Sequence, residues 1–254
     1  MSGFRIEKQG RVAVLRMDKA RGNAIDEPFA EDLVRVCQEV AADDAVTAVM
    51  LASAHPKLFC PGLDLVTLYA YDRPAMARFM ARFGEGMLAL YGMRKPVLAA
   101  IAGHAVAGGC VLALTADHRL LRRGSQIGLN EVRVGIPLPW SVAILLKSSV
   151  PPYALSRVAL LGQNLLDEEA AALGLVHEVL EADGFEAACL ARAAEFAEKD
   201  VVAVGTTKAY LRDAALAEMR SQEAARAGEF LDAWFSPAGR ARIGEVVAGL
   251  TKKG

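Results

Sequence analysis

Short apolar runs alternate with longer amphipathic stretches through the first half of the chain. Val12-Ala13-Val14-Leu15-Arg16-Met17 and Ala48-Val49-Met50-Leu51-Ala52 have strand length, and Pro96-Val97-Leu98-Ala99-Ala100-Ile101 reads as a buried strand. Between the first two, Asp26 and Pro28 mark a helix start, and Phe29, Leu33, Val36, Cys37 and Val40 fall on one helical face. The third run ends at Ala102-Gly103, just before a glycine turn, and His118-Arg119-Leu120-Leu121 is a further strand candidate. Strand, turn, helix and strand again is βαβ order. It predicts an α/β fold whose sheet is covered on both faces.

After Pro137 the pattern becomes helical. Asp167 is placed to cap a helix running through Leu173, and Gly184 to Glu198 is Ala-rich with an apolar face. Met219 to Phe235 reads as another amphipathic helix. Ser236-Pro237 then predicts an N-cap with proline at the first helical position, opening a last helix that reaches Leu250. The expected organisation is an α/β core over residues 1–195 and a C-terminal helical segment over 196–254. No internal repeat or low-complexity linker interrupts it.

Composition narrows the function classes. With 254 residues, 54% of them hydrophobic, the chain can bury a sizeable core. A net charge of -1, with no run of five or six like charges, gives no basic footprint for nucleic acid or an anionic membrane. Cys37, Cys60, Cys110 and Cys189 are scattered without a C-x-x-C pair, so they are expected to be small buried thiols in a reducing compartment. His55, His118 and His177 lack metal-ligand spacing, and no metal is expected. The N-terminus enters strand-like alternation directly, and no apolar run is long enough to span a bilayer. A cytoplasmic location is the expectation. Neither a G-x-G-x-x-G after a strand nor a G-x-x-x-x-G-K-[ST] occurs, which excludes the dinucleotide and P-loop readings.

The chemistry concentrates in three segments. Ile127-Gly128-Leu129-Asn130-Glu131-Val132-Arg133-Val134-Gly135-Ile136-Pro137 puts a lone carboxylate, Glu131, in an apolar stretch. Apolar surroundings disfavour its charged form and raise its pKa toward the range useful for proton transfer. The bland alternative is a structural carboxylate paired with Arg133. Upstream lie two glycine-bearing turns, Phe59-Cys60-Pro61-Gly62-Leu63-Asp64-Leu65 and Gly103-His104-Ala105-Val106-Ala107-Gly108-Gly109-Cys110. Turns of this kind free backbone N–H groups to face an oxygen that becomes negative in a transition state. One base with two such donors predicts chemistry beside a carbonyl. Close helix packing is the competing reason for Gly108-Gly109, and Cys110 is read as helix packing.

Together these segments resemble the crotonase family, also called the enoyl-CoA hydratase/isomerase family. The resemblance runs from about Arg11 to about Lys208. Arg21-Gly22-Asn23-Ala24-Ile25 and Ala170-Ala171-Ala172-Leu173-Gly174-Leu175-Val176 add two further matching stretches in the same order. The resemblance implies a crotonase-like fold of stacked ββα units with a C-terminal helical region. It implies Glu131 as the catalytic acid/base and the N–H groups of Leu63 and Gly108 as the oxyanion hole. Substrate-binding positions carried over are Asn23 and Ala24, beside the CoA moiety, and Pro61, Gly62, Asp64 and Leu65 in the first loop. Asp64 is read as holding that loop through its backbone, and Pro137, Leu138, Pro139 and Trp140 as candidates to line an acyl pocket. The substrate is an acyl-CoA thioester. No cofactor is implied, because CoA belongs to the substrate. C-terminal helices packed on neighbouring subunits imply a homotrimer or a dimer of trimers.

Within the family, members that hydrate typically carry a glutamate where this chain has Val111. A valine neither holds nor deprotonates water, whereas one base suffices to move a double bond. The phrases Pro61-Gly62-Leu63-Asp64-Leu65 and Ile127-Gly128-Leu129-Asn130-Glu131 also look closer to the Δ3,Δ2-enoyl-CoA isomerase branch. The expected reaction is therefore the shift of a C=C bond from 3-enoyl-CoA to 2-enoyl-CoA. Two alternatives stand beside it: hydration of 2-enoyl-CoA to 3-hydroxyacyl-CoA, and a non-catalytic acyl-CoA-binding paralogue.

Overall fold

The computed structural model describes residues 3–252, apart from the Ala224 side chain. Its strands are β1 (Phe4–Gln9), β2 (Val12–Met17), β3 (Ala48–Ser53), β4 (Leu58–Cys60), β5 (Val97–Ile101), β6 (His104–Val106), β7 (His118–Arg122), β8 (Gln126–Gly128), β9 (Leu165–Leu166) and β10 (Glu178–Leu180). The larger sheet is ordered β1-β2-β3-β5-β7-β10 and is parallel except for the β1–β2 hairpin. The smaller sheet is ordered β4-β6-β8-β9, with β9 antiparallel to β8.

The helices are α1 (Glu27–Ala42), α2 (Leu65–Leu68), α3 (Arg73–Tyr91), α4 (Gly108–Leu114), α5 (Trp140–Ser149), α6 (Asp167–Ala172), α7 (Phe185–Ala197), α8 (Val201–Phe235) and α9 (Pro237–Thr251). The larger sheet is buried on both faces, and strand alternation decides which side chains go where. Val12, Val14, Met50 and Leu98 pack under Phe185 and Cys189 of α7. Ala13, Leu15, Met17, Val49 and Leu51 point the other way, into the main core with α1, α3 and α4.

Two predicted caps form. Asp26 Oδ1 accepts from Phe29 N at 3.0 Å, and Ser236 Oγ accepts from Gly239 N at 3.0 Å. Asp167 does not act as a cap. It is the first residue of α6, and its Oδ2 instead accepts from Gly124 N at 2.7 Å, pinning the turn before β8. The C-terminal helix begins at Val201 rather than Met219. Val202, Tyr210 and Leu211 in its first half are exposed, so no apolar stripe announces that half. The expected break at 195/196 falls inside α7. The C-terminal helices fold back on their own chain, α8 against α5 and α3, and α9 against α2 and the turn at Glu131–Val134. Asp117 ties α8 to the larger sheet, with Oδ2 2.6 Å from Lys208 Nζ and 2.7 Å from Val97 N.

The smaller sheet positions the chemistry. Its parallel strands β4, β6 and β8 lead at their carboxyl ends into Pro61-Gly62-Leu63, Ala107-Gly108 and Leu129-Asn130-Glu131, respectively. Open parallel sheets bind ligands at this end.

Candidate active site

The first loop is fixed by a parallel bridge between Ile25 and Leu63. Ile25 N donates to Gly62 O at 2.9 Å and Asp64 N donates to Ile25 O at 2.8 Å. Gly62 O and Asp64 N therefore face Ile25, and the Leu63 N–H points to the opposite side. Among the described residues it donates to no protein group. Gly62 adopts φ of 96°, a conformation that favours glycine.

The second donor opens α4. Gly108 N lies in the first turn of that helix, where no intrahelical acceptor exists, and it too has no partner among the described residues. Ala107 precedes it with φ of 49° and ψ of -122°, while its N–H donates to Gly128 O at 2.8 Å. Among the described residues the non-glycine positions with positive φ are Arg21, Asn23 and Ala107, all in loops around this site. Strain concentrated in this way is characteristic of functional loops. A Cβ on Gly109 would run into the Cys60 carbonyl, so the second glycine is there for close packing.

Glu131 begins the short 3₁₀ turn Glu131–Val134, which Gly135 ends with φ of 79°. The residue is 9% exposed, and its Oε2 has no hydrogen-bond partner. Burial pushes its pKa from the usual carboxylate value up to about 7. Among the described residues no ion pair forms to it. Arg133 instead lines a separate cavity of about 420 Å³ with Gln126, Arg157 and Gln163. Burial, with the Glu131 charge adding to it, raises the Cys110 thiol. Cys110 itself is wholly buried, as helix packing requires.

Several sequence expectations shift here. Asn23 is fully buried and spends its amide internally. Its Nδ2 donates to Ser53 Oγ and Phe59 O, each at 2.9 Å, and its Oδ1 accepts from Lys19 N at 2.9 Å. That side chain holds the loop together. The Ala24 carbonyl is taken by Lys19 Nζ at 3.2 Å. Asp64 works through its side chain as well as its backbone. Its carboxylate caps α2, accepting from Thr67 N at 3.2 Å and Thr67 Oγ1 at 2.9 Å, and pairs with Arg21 at 3.2 Å. Pro61 is exposed and Leu63 and Leu65 are half-buried beside it. Trp140 opens α5 under the Arg226 guanidinium, 4.3 Å from the ring centroid, packed toward α8. Sequence reasoning missed Arg21 as the partner of Asp64; its place in the same loop as Asn23 was the available signal.

The arrangement offers two free N–H groups from touching loops and one buried carboxylate whose Oε2 has no partner. Residues 7–236 match the family model described as enoyl-CoA hydratase/isomerase. The chain belongs to the enoyl-CoA hydratase/isomerase family. It is 31% identical over 182 residues to the mitochondrial enoyl-CoA delta isomerase 1 of Rattus norvegicus, a match covering 70% of this chain and 63% of that protein. It is 28% identical over 204 residues to the (E)-benzylidenesuccinyl-CoA hydratase of Thauera aromatica, covering 80% of this chain and 79% of that one. The crystal structure of human mitochondrial Δ3,Δ2-enoyl-CoA isomerase superposes with a TM-score of 0.94 at 26% identity over 99% of each chain. The fold is thus crotonase-like, and the chain is an enzyme of a family whose relatives carry both isomerase and hydratase names. Among the described residues no helix is long and apolar enough to cross a membrane, and no group of His, Cys, Asp or Glu is arranged to hold a metal ion.

Proposed function

We propose that this protein moves a C=C bond in an unsaturated acyl-CoA, converting 3-enoyl-CoA to 2-enoyl-CoA, with Glu131 as the single proton carrier. The observation that carries this reading is the apolar character of α4. From Cys110 through Leu114 the helix behind the Gly108 donor offers Cys, Val, Leu, Ala and Leu, all buried, so it brings no second carboxylate to Glu131.

In the proposed reaction the Glu131 carboxylate removes a proton from C2 of the 3-enoyl-CoA. The C–H electron pair moves toward the thioester, whose oxygen becomes negative and accepts from Leu63 N and Gly108 N. The resulting dienolate takes the same proton back from Glu131 at C4, leaving the double bond between C2 and C3. Nothing is consumed, and no cofactor is needed beyond the CoA carried by the substrate. A pKa near 7 suits a group that must both take and give a proton near neutral pH.

Hydration of 2-enoyl-CoA is the second reading, favoured by the hydratase names among relatives of similar identity. Incubation with 3-enoyl-CoA and 2-enoyl-CoA panels, with products separated by mass, tests both. Hydration adds the mass of water and isomerisation adds none. Exposed Val202, Tyr210 and Leu211 on α8 support assembly into a trimer or a dimer of trimers. Light scattering that shows a strict monomer at micromolar concentration would sink that part. The four free, buried cysteines suit a reducing compartment, and we place the protein in the cytoplasm, to be tested by fractionation.

A further inference from the structure

The last helix touches both halves of the candidate site. Arg240 of α9 donates through Nη2 to the Tyr69 carbonyl at 2.9 Å, and the Tyr69 hydroxyl donates back to the Arg240 carbonyl at 3.3 Å. The guanidinium carbon lies 3.5 Å from the Tyr69 ring centroid. Tyr69 closes α2, the short helix that starts just after Leu63 and is capped by Asp64. On the same helix Arg242 lies against Gly135, where a Cβ would stand 2.7 Å from Arg242 Nη1 and 3.0 Å from its Cδ. Gly135 ends the turn that carries Glu131.

The close approach is built into the sequence. A Cβ on Gly244 would sit 2.9 Å from the Tyr69 hydroxyl, so glycine there lets α9 lie against the ring. Ile243, wholly buried, anchors the helix in the core. The two loops that α9 meets come from β4 and β8, which do not pair with each other because β6 lies between them. A hydrogen-bonded helix is stiff over this length, so α9 bridges two segments that the sheet joins only indirectly.

We propose that Arg240 is a positioning residue that ties α9 to Tyr69, so that one helix sets the spacing between the Leu63 N–H and the Glu131 carboxylate. Its consequence for turnover rests on the acyl-CoA reading above; its mechanical part does not. Displacements of about 1 Å in a reacting pair can cost roughly 100-fold in rate.

The test combines amide hydrogen exchange with steady-state kinetics on Arg240→Ala, Arg240→Lys and Gly244→Leu, with Glu245→Ala on the exposed side of α9 as control. Exchange is expected to rise in both 65–69 and 131–135 for Arg240→Ala and Gly244→Leu, with β5 unchanged. For the enoyl-CoA that the wild type turns over, kcat is expected to fall roughly 10- to 100-fold while KM stays near the wild-type value. Arg240→Lys, which keeps the charge and one donor, should recover part of the loss, and Glu245→Ala should match the wild type. Faster exchange in only one of the two segments overturns the proposal. So does an unchanged kcat when both segments exchange faster. If Arg240→Ala fails to fold, the Lys and Gly244 variants decide by the same criteria. A wild type that turns over no enoyl-CoA defeats the acyl-CoA reading, and the exchange data still decide whether α9 couples the loops.

Discussion

Gly62 and Gly108 meet backbone to backbone: a Cβ on Gly108 would stand 3.3 Å from Gly62 Cα and 2.9 Å from Ile25 Cδ1. This contact brings the two proposed oxyanion donors to one place, because Leu63 follows Gly62 and Gly108 N is itself a donor. Gly108→Ala should push the loops apart and misplace both N–H groups. Loss of one such donor typically costs about 10²–10³ in kcat, and that is the expected loss here. Thermal melting beside the assay separates this from unfolding. A variant that folds and retains full turnover would show that these two N–H groups do not hold the reacting oxygen.

Glu131→Gln keeps shape but cannot carry a proton, and turnover should fall by roughly 10²–10⁴ with acyl-CoA binding nearly unchanged. The wild type should show kcat/KM rising with pH to a plateau above about 7, because the free enzyme needs the carboxylate ionised. The same shift predicts a stability effect. The folded pKa is raised above its unfolded value near 4.5, so the unfolded chain loses this proton first. Stability contributed by the neutral carboxyl is present below about pH 4.5 and is lost as pH rises toward about 7. Glu131→Gln should therefore be more stable than wild type at pH 8 and similar at pH 4, with a difference of up to about 3 kcal/mol by urea unfolding. An equal difference at both pH values would refute a raised Glu131 pKa.

Asp64 joins two elements, and the capping role should dominate. Asp64→Ala loses the acceptor for Thr67 N and is expected to cost about 1–2 kcal/mol. The Arg21 side chain is 60% exposed, so its ion pair with Asp64 adds at most about 1 kcal/mol. Asp64→Asn, which retains a capping oxygen, should then lie much closer to wild type than Asp64→Ala in urea titrations. Equal losses for the two variants would shift the main role to the charge.

The parts of the fold legible in the sequence are those with a strong local cause. β5 is a continuous apolar run, β3 is one up to Ser53 and β2 one up to Arg16, and Asp26-Glu27-Pro28 and Ser236-Pro237 carry both a cap and a proline. The smaller sheet was not legible. Leu58–Cys60, His104–Val106 and Gln126–Gly128 are only three residues each, too short for a period to show. At the site, Glu131 stood out because a lone carboxylate in apolar sequence is unusual. At Asn23 nothing local reveals that Ser53 and Phe59, from another part of the chain, take its amide. The Arg240–Tyr69 contact joins residues 171 positions apart, and its guanidinium looks like any other on a surface helix until the fold is known.

The choice between isomerase and hydratase turns on Val111. The residue is 2% exposed and packs in the main core, one turn into α4 from the Gly108 donor. If water activation is missing only because no second carboxylate is present, Val111→Glu should add measurable water addition to 2-enoyl-CoA. A carboxylate so near Glu131 would repel it, and one of the pair would stay protonated near neutral pH, which is the state a two-carboxylate hydratase uses. Burying the new polar group costs about 1–3 kcal/mol on mutational scales, so folding must be verified before activity is scored. The measurement is product mass from 2-enoyl-CoA for wild type and variant side by side. A folded Val111→Glu with no gain in hydration would mean that the position does not face the acyl chain. A wild type that hydrates 2-enoyl-CoA far faster than it isomerises any 3-enoyl-CoA would reverse the assignment, leaving Glu131 to activate water without help from α4.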